Sequence, residues 1–286
     1  MSEITIIGLG AMGMAIARRL IDQGCELTVW NRSADKASAL AQAGARVADS
    51  LPQAIAASPR ILVCIHGYGS TRALLDEAEI IPLLSGRTLL QLSTGTPAEA
   101  RAADSWVQAQ GGRYLDGAIM VYPPTIGSPE GQLLVSGPRD VYDDCAVYLA
   151  HLGGDIRYLG DNIGAASALD MALVSRLVAR TVAIVYGIHI CESEGVPLAQ
   201  YADMYPPADR AHHLAGIIDS GEFGNNIQST VGTSLEASTA IGALARDLGI
   251  STEFPDFIQG LYQRAAAAGY LDKDSASVIE VFRNNA

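Results

Sequence analysis

The sequence predicts an α/β domain with a doubly wound, mainly parallel sheet, joined by a long interdomain helix to an all-α C-terminal domain. Short apolar runs alternate with amphipathic segments in the first half, a glycine-rich turn joins the first of each, and helical periodicity dominates after residue 160. A chain of 286 residues is near the upper size of one hydrophobic core, about 250–300 residues. We therefore expect two domains, over residues 1–160 and 161–286.

Five buried strands are expected in the first half, because each run is rich in β-branched or large apolar residues. Amphipathic segments such as AMGMAIARRLIDQ separate them, which is typical of parallel βαβ units that bind ligands at the carboxyl ends of the strands. The five runs are ITIIGL, ELTVWN, RILVCIHG, RTLLQLST and RYLDGAIMV.

One long helix is expected over about residues 164–191, the stretch GAASALDMALVSRLVARTVAIVYGIHIC. It would reach about 40 Å at about 1.5 Å per residue. Asp170, Arg176 and Arg180 interrupt its apolar sequence, so we do not expect a membrane span. An apolar helix of this kind would be poorly covered in a monomer, and a homodimer with interlocked helices would cover it.

Charge and cysteine spacing exclude several classes of protein. The net charge is −12 without a cluster of Lys or Arg, which argues against nucleic acid and acidic membrane partners. The N-terminus MSEITIIGLG lacks the basic and apolar regions of a secretory signal, so we expect a cytoplasmic protein. No metal site or disulfide framework is expected, because the four cysteines are widely separated, at Cys25, Cys64, Cys145 and Cys191.

The glycine-rich turn has the form G-x-G-x-x-G, with Gly8, Gly10 and Gly13 between the first strand and the first helix. In a dinucleotide-binding Rossmann fold these glycines permit the tight turn, the approach of the pyrophosphate and close helix packing, respectively. Ala11 and Met12 begin the helix, whose free N–H groups and positive dipole end would bind the phosphates.

The end of the second strand indicates which dinucleotide is bound. An NAD site has an acidic residue there for the ribose hydroxyls, but this chain has Asn31, Arg32 and Ser33, with Lys36 one turn later. Arg32 can contact a 2′-phosphate and the adenine, and Ser33 can donate to the phosphate. We therefore predict NADPH as the cofactor; the alternative is that Ser33 caps the next helix and Arg32 is solvated.

The sequence resembles the imine reductases and reductive aminases of the β-hydroxyacid dehydrogenase superfamily, which is 6-phosphogluconate dehydrogenase-like. The resemblance extends over essentially the whole chain and rests on segments that occur in the family's order. They are GLGAMG with WNRS, LSTGTP at 92–97, YLDGAIMVYPPTIGSP at 114–129, GAASALDMAL at 164–173 and AAAAGYLDKDSASVIEVFR.

The resemblance implies that Asp170 is catalytic. Hydroxyacid dehydrogenases of the superfamily have a Lys at this position, whereas imine reductases have Asp or Tyr. A carboxyl group attracts a cation rather than a carboxylate, and it can stabilise an iminium ion or deliver a proton. The alternative is a buried ion pair with Arg176 or Arg180, but neither shares the helical face of Asp170 well.

The resemblance places Val178 in the substrate pocket, two turns after Asp170, where some relatives have a Tyr. The proton donor or orienting group is then Asp170 alone, a water, or one of Tyr122, His212 and His213. In the family, the region YPPADRAHHLAG lines the pocket from the partner subunit, which implies a domain-swapped dimer with the active site at the interface. Each His has the alternative of an ordinary surface or interface role.

Ser93 and Thr94 follow the fourth or fifth strand, where a carboxyl-end loop would face the nicotinamide. Reductive aminases often have Asn at the position of Thr94; a structural turn is the alternative for both residues. Met120 and Tyr122 are expected to form pocket wall. Asp116 is expected to be a paired, fold-stabilising acid.

The resemblance implies an NADPH-dependent imine reductase that acts on cyclic imines, with reductive aminase activity as an extension. Two alternatives stay open: an NADPH-dependent β-hydroxyacid dehydrogenase with unusual acid–base groups, and a catalytically idle NADPH-binding protein.

Overall fold

A computed structural model describes residues 2–205 and 210–284. The chain divides into two compact units, Met1–Asp170 (unit 1) and Met171–Ala286 (unit 2). The division falls inside the long helix, ten residues after the boundary expected from the sequence (170 − 160 = 10). The domain limits 1–160 and 161–286 stay a prediction.

Unit 1 contains one eight-stranded sheet within residues 2–170, in the order β3-β2-β1-β4-β5-β6-β7-β8. Neighbouring strands are parallel except β6 and β7, which are antiparallel. The predicted doubly wound, mainly parallel sheet is therefore confirmed. The strands are β1 Ile4–Ile7, β2 Leu27–Trp30, β3 Arg46–Val47, β4 Arg60–Val63, β5 Thr88–Gln91, β6 Arg113–Ile119, β7 Gln132–Ser136 and β8 Asp155–Tyr158.

The helices of unit 1 cover both faces of this sheet. Successive residues of a strand point to opposite faces, and β1 shows the result: Ile6 packs in one apolar cluster and Ile7 in the other. A sheet buried on both faces explains why the strand sequences are continuously apolar. The helices are α1 Ala11–Asp22, α2 Ser38–Gln42, α3 Leu51–Ala56, α4 Gly67–Leu75, α5 Pro97–Ala109 and α6 Arg139–Ala150.

The described part of unit 2 is helical, which confirms the predicted all-α domain. The long helix α7, Ala165–Ser193, begins in unit 1 and continues into unit 2. Thr230 caps α10 by accepting from the Thr233 backbone N–H, and Gly249 ends that helix at a positive φ of 66°. The other helices are α8 Leu198–Asp203, α9 Ala211–Ser220, α10 Val231–Leu248, α11 Glu253–Ala265 and α12 Ile279–Arg283.

Helix α7 is long and apolar enough to cross a membrane by length and composition, with a mean hydropathy of 1.6 over its most apolar window. Central helices of water-soluble proteins meet the same two criteria. Only 39% of that window is buried in the chain, and large apolar side chains remain exposed along the helix, at Leu169, Leu173, Tyr186 and Ile190.

Three strands were absent from the sequence-based expectation. β3 has two residues, both exposed, and β8 contains the charged pair Asp155 and Arg157, so neither has the apolar pattern of a buried strand. β7, with the sequence QLLVS, is buried over four of its five residues, and its antiparallel pairing with β6 departs from the βαβ pattern of the preceding chain.

Candidate active site

The glycine-rich loop between β1 and α1 uses its three glycines for different purposes. Gly8 has a φ of +98°, and a Cβ atom there would lie 2.3 Å from the Ile65 side chain. A Cβ atom on Gly13 would lie 1.9 Å from the Gly8 carbonyl oxygen. A Cβ atom on Gly10 would meet nothing within 4 Å. Packing therefore requires glycine at positions 8 and 13, whereas Gly10 faces open space that a bound pyrophosphate can approach.

The first turn of α1 keeps its backbone donors available. Gly10 is the N-cap residue and provides no side-chain capping bond, and the first turn contains no acidic residue. Ala11 is exposed, and Met12 is half-buried against the apolar cluster beneath the helix. These donors and the positive end of the helix dipole fit the phosphates of a dinucleotide.

Asn31 connects the glycine-rich loop to the end of β2. Its Oδ1 atom accepts from the Leu9 backbone N–H at 2.9 Å, and its Nδ2 atom donates to the Ser33 carbonyl oxygen at 3.0 Å. The sequence analysis predicts that Asn31 binds the cofactor. In the structure its amide holds two stretches of backbone, so its contribution to a dinucleotide site is to position the loop.

Arg32, Ser33 and Lys36 are exposed and make no hydrogen bond or ion pair with the residues that the structure describes. Ser33 precedes the short 3₁₀ turn Ala34–Ala37, but its hydroxyl makes no capping bond. The alternative that Ser33 is a helix cap therefore lacks its hydrogen bond. A guanidinium, a hydroxyl and an ammonium that are exposed at and just after the end of β2 fit a 2′-phosphate.

Ser93 and Thr94 follow β5, the fifth strand in chain order. The Ser93 hydroxyl accepts from the Ile65 backbone N–H at 3.3 Å, which ties the loops after β4 and β5 together. Thr94 is exposed at the carboxyl end of the strand. A Cβ atom on Gly95 would lie 2.3 Å from the Tyr68 ring, so the glycine of LSTGTP permits Tyr68 to pack there.

Three hydroxyl groups surround the carboxyl group of Asp116, which is fully buried in β6. Tyr68 donates to Oδ1 at 2.5 Å, Tyr114 donates to the same oxygen at 3.2 Å, and Ser167 donates to Oδ2 at 2.6 Å. Burial raises the pKa of Asp116, the hydroxyl donors lower it, and the result is a value of about 6. Asp116 is thus the paired acid that the sequence analysis expects.

Asp170 lies on α7, three residues after Ser167, and is only 5% exposed. Burial raises the pKa of its carboxyl group to about 7, and the negative charge of Asp116 raises it further in the same direction. Burial and the charge of Asp116 are the causes of this shift, and the ion-pair alternative for Asp170 stays a hypothesis. Asp170 is thus a buried carboxyl group whose pKa is raised to near neutral and which the charge of a second buried carboxyl group, Asp116, affects.

Met120 and Tyr122 follow β6 in unit 1. Met120 is half-buried and packs against the cluster formed by Ala118, Leu134 and Ala166. Tyr122 is 48% exposed at the start of the short turn Pro123–Thr125. Their predicted role as pocket wall stays a prediction.

Val178, His212 and His213 lie in unit 2. Val178 is buried in the apolar cluster of that unit. The His212 Nε2 atom lies 2.9 Å from Asp203 Oδ1, and the His213 Nε2 atom lies 3.4 Å from Asp274 Oδ2. Each His therefore has a carboxylate partner inside unit 2, and the predicted contacts of all three residues with substrate stay predictions.

No group of three or more His, Cys, Asp or Glu side chains that could hold a metal occurs within residues 2–205 and 210–284. The four cysteines are unpaired thiols; Cys145 is buried, and the other three are half-buried.

Comparison with known proteins identifies the family. Residues 3–160 match the NAD binding domain of 6-phosphogluconate dehydrogenase, and residues 162–284 match the C-terminal domain of NADPH-dependent reductive aminase-like proteins. A reductive aminase from Aspergillus terreus, solved in complex with NADPH and ethyl-5-oxohexanoate, is 35% identical, with a TM-score of 0.68 over 98% of this chain and 99% of that chain. The chain belongs to the imine reductase and reductive aminase family.

Other relatives of this family member agree with the assignment. The NADPH-dependent reductive aminase of Aspergillus oryzae is 29% identical over 98% of this chain and 97% of its own length. An imine reductase from Myxococcus stipitatus, solved with NADP⁺, is 29% identical over 98% of this chain and 99% of that chain, with a TM-score of 0.70. The Aspergillus terreus structure contains NADPH and this Myxococcus stipitatus structure contains NADP⁺, the cofactor that the sequence predicts.

Sequence reasoning missed three residues of the candidate site in this family member: Tyr68, Tyr114 and Ser167. Ser167 stands one helical turn before Asp170, and this spacing is a usable signal for a shared helix face. Tyr68 lies 48 residues from Asp116 in the chain. Its contact with the carboxyl group comes from the tertiary fold and has no local pattern.

Gly13→Ala and Gly10→Ala should have different effects: the first should lower the stability of the protein, and the second should weaken cofactor binding. We expect Gly13→Ala to lower the free energy of unfolding of the apoprotein by about 2 kcal/mol or more, because its Cβ overlaps the Gly8 carbonyl. Gly10→Ala should change this free energy by less than about 0.5 kcal/mol, yet weaken NADPH binding. Urea unfolding and NADPH titration measure the two effects; equal stability losses would contradict the assignment.

Asp170→Asn should raise the melting temperature above that of the wild type. This gain should be larger at about pH 8 than at about pH 5. The folded pKa of Asp170 is raised above its unfolded value of about 3.9, so its favourable contribution is present below about pH 4 and is lost as the pH rises towards 7. We expect a gain of a few °C at the higher pH, measured by thermal unfolding, with the exposed Asp22→Asn as the matched control. A gain that does not grow with pH would refute the raised pKa.

Proposed function

We propose that this protein is an NADPH-dependent imine reductase that reduces the C=N bond of cyclic imines or iminium ions to give amines. The observation that carries the proposal is Asp170. A buried carboxyl group occupies the position where the hydroxyacid dehydrogenases of the superfamily have a Lys, so the site favours a cationic or basic nitrogen over a carboxylate substrate.

NADPH supplies the hydride when it is bound. The residues of this chain would bind its pyrophosphate at Gly10 and the first turn of α1, and its 2′-phosphate at Arg32, Ser33 and Lys36. Ser93 and Thr94, at the carboxyl end of β5, would face the nicotinamide end. The 2′-phosphate end of the cofactor would thus lie at the end of β2 and the nicotinamide end at the end of β5, both at the carboxyl ends of the parallel strands.

Asp170 would serve the nitrogen of the substrate. A carboxyl group with a pKa of about 7 is protonated in a large fraction of molecules at neutral pH, and it can give this proton to nitrogen while the carbon accepts hydride. The product of this step is a neutral amine, and the carboxylate that remains takes up a proton from solvent before the next turnover.

Reductive amination of ketones is a narrower possibility. One of the Aspergillus terreus structures contains cyclohexanone and allyl amine, which are the two reactants of such a reaction. Family members of this type often carry an amide at the position of Thr94, which is a hydroxyl here. We therefore propose preformed cyclic imines as the primary substrates and ketone–amine pairs as secondary ones.

We further propose a cytoplasmic homodimer in which interlocked helices exchange between subunits and complete the active site at their interface. Unpartnered apolar side chains support this assembly, because exposed apolar patches of monomers are usually small. Besides those of α7, they lie around the start of α11, at Leu248, Ile250, Phe254 and Phe257.

A hydroxyacid dehydrogenase is the second candidate. Human mitochondrial 3-hydroxyisobutyrate dehydrogenase is 25% identical over 99% of this chain. Asp170 disfavours this activity, because it stands where the hydroxyacid dehydrogenases of the superfamily have their Lys, so the ammonium group of that Lys is absent. A catalytically idle NADPH-binding protein is the third candidate, and it predicts cofactor binding without turnover.

NADPH oxidation with 2-methyl-1-pyrroline tests the proposal. We expect turnover that falls at least tenfold in Asp170→Asn, a loss of about 1.4 kcal/mol of transition-state stabilisation. NADPH titration of the variant is the control, because its cofactor affinity should not change. Oxidation of 3-hydroxyisobutyrate with NADP⁺ in place of imine reduction would favour the dehydrogenase, and tight NADPH binding without any turnover would favour the idle protein.

Arg32→Ala tests the 2′-phosphate assignment. We expect KM for NADPH to rise about 10- to 100-fold, since a charged hydrogen bond contributes about 1.5–3 kcal/mol, while KM for NADH changes little. Arg46→Ala, at an exposed Arg on the neighbouring β3, is the matched control. Equal losses with both cofactors would place Arg32 away from the 2′-phosphate.

A further inference from the structure

The buried cluster of Tyr68, Tyr114, Asp116 and Ser167 directs three hydroxyl donors at one carboxyl group. All four residues are buried, and they come from α4, β6 and the start of α7. Asp170 lies on the same helix as Ser167, about one turn away, and Asp116 is the charged group that acts on it. The molecule thus buries two carboxyl groups in unit 1 that are near enough for the charge of Asp116 to act on Asp170, and neither carboxyl group has an ion pair with a cation among the described residues.

Counting protons shows which of the two carboxyl groups is held as the anion. Each hydroxyl has one proton, and the geometry directs those of Tyr68, Tyr114 and Ser167 at Asp116. An ionised carboxylate only accepts, so it can receive all three bonds. A protonated Asp116 would need an acceptor for its own proton, and one of the hydroxyls would have to turn away.

The Tyr68 hydroxyl also lies 3.1 Å from the Ser167 hydroxyl, within hydrogen-bond distance, so these two donors contact each other as well as Asp116. Burial and the Asp116 charge raise the pKa of Tyr68 well above its usual value, so Tyr68 keeps its proton and can donate near neutral pH. Asp170, in contrast, makes no hydrogen bond with a described side chain. Because the charge of Asp116 raises the pKa of Asp170, ionisation of Asp116 favours the protonated form of Asp170.

We propose that Asp116 is a positioning residue that keeps this shared proton on Asp170, and that Tyr68 and Ser167 hold Asp116 as the anion. The hydroxyls favour charge on Asp116, and its charge disfavours charge on Asp170. The proton therefore stays on the carboxyl group that faces the substrate in the proposed function. The inference about the reaction rests on that function, whereas the inference about the proton does not.

The consequence for the reaction is a carboxylic acid that is reset after each turnover. When the carbon accepts hydride, the π electrons of C=N pass to nitrogen, the O–H bond of Asp170 breaks, and an N–H bond forms. Two adjacent carboxylates then remain in a buried site. Their repulsion favours uptake of a proton from solvent by Asp170 before the next substrate reacts.

Asp116→Asn is the decisive variant, because Asn keeps the size of the side chain and removes its charge. We expect the pH at which kcat falls on the alkaline side to move down by about one unit, so that kcat at about pH 8 is about tenfold lower. KM for NADPH should not change. The ¹³C resonance of the Asp170 carboxyl in aspartate-labelled protein, assigned with Asp170→Asn, should titrate at a correspondingly lower pH.

Tyr68→Phe and Ser167→Ala keep Asp116 and remove one donor each, so they test the same idea if Asp116→Asn does not fold. We expect the proton to move partly to Asp116: the Asp116 resonance should titrate at a higher pH and the Asp170 resonance at a lower pH. Ser58→Ala removes a buried hydroxyl that bonds Ser2 and Thr5 in the same unit and is the matched control, with no shift in either resonance.

Failure of the inference and failure of the proposed function give different results. If wild-type protein reduces no imine but the Asp170 resonance still shifts in Asp116→Asn, the effect of Asp116 on the Asp170 proton is supported and the proposed imine substrate is contradicted. If imine reduction occurs and neither the kcat profile nor the resonance moves in any of the three variants, the proposal is overturned. A loss of kcat without a shift in pH dependence would make Asp116 merely structural, which also overturns it.

Discussion

The hydrogen bonds that converge on the Asp116 carboxyl group are the interaction on which the candidate site depends. They join α4, β6 and the beginning of α7, three parts of unit 1 that are far apart in the chain. A buried anion without donors would cost several kcal/mol, so this part of the fold is stable only when all three elements are in place. These contacts thus hold together α4, β6 and the beginning of the helix that carries Asp170.

The same site shows how backbone and side chains share the binding of a dinucleotide. Gly8 and Gly13 are fixed by contacts within the protein, and Gly10 alone faces open space. The side chains that would select the 2′-phosphate, Arg32 and Ser33, lie on a different loop from the glycines. The glycine loop therefore provides space for the pyrophosphate, which every such dinucleotide has. A different loop provides the positive and donor groups that would recognise the 2′-phosphate.

Most of the fold could be predicted because its signals are local. The buried strands β1, β2, β4, β5 and β6 and the helix α7 have long apolar patterns, whereas β3 and β8 are short or charged and depend on their neighbours in the sheet. In the candidate site, Asp170 and the glycines were predicted from motifs. Tyr68 was missed because its contact with Asp116 spans 48 residues and is made only when α4 packs on the sheet. The carboxylate partners of His212 and His213 were missed for the same reason.

The two hydrogen bonds of Asn31 have a bearing on how cofactor preference could change during evolution. They hold the loop at Leu9 and the backbone at Ser33 from inside the protein, so the scaffold of the phosphate site does not use the side chains of Arg32 or Ser33. Those side chains can vary without loss of the loop conformation. Selection for a different dinucleotide can therefore act on two or three exposed positions, while the turn that binds the pyrophosphate is inherited unchanged.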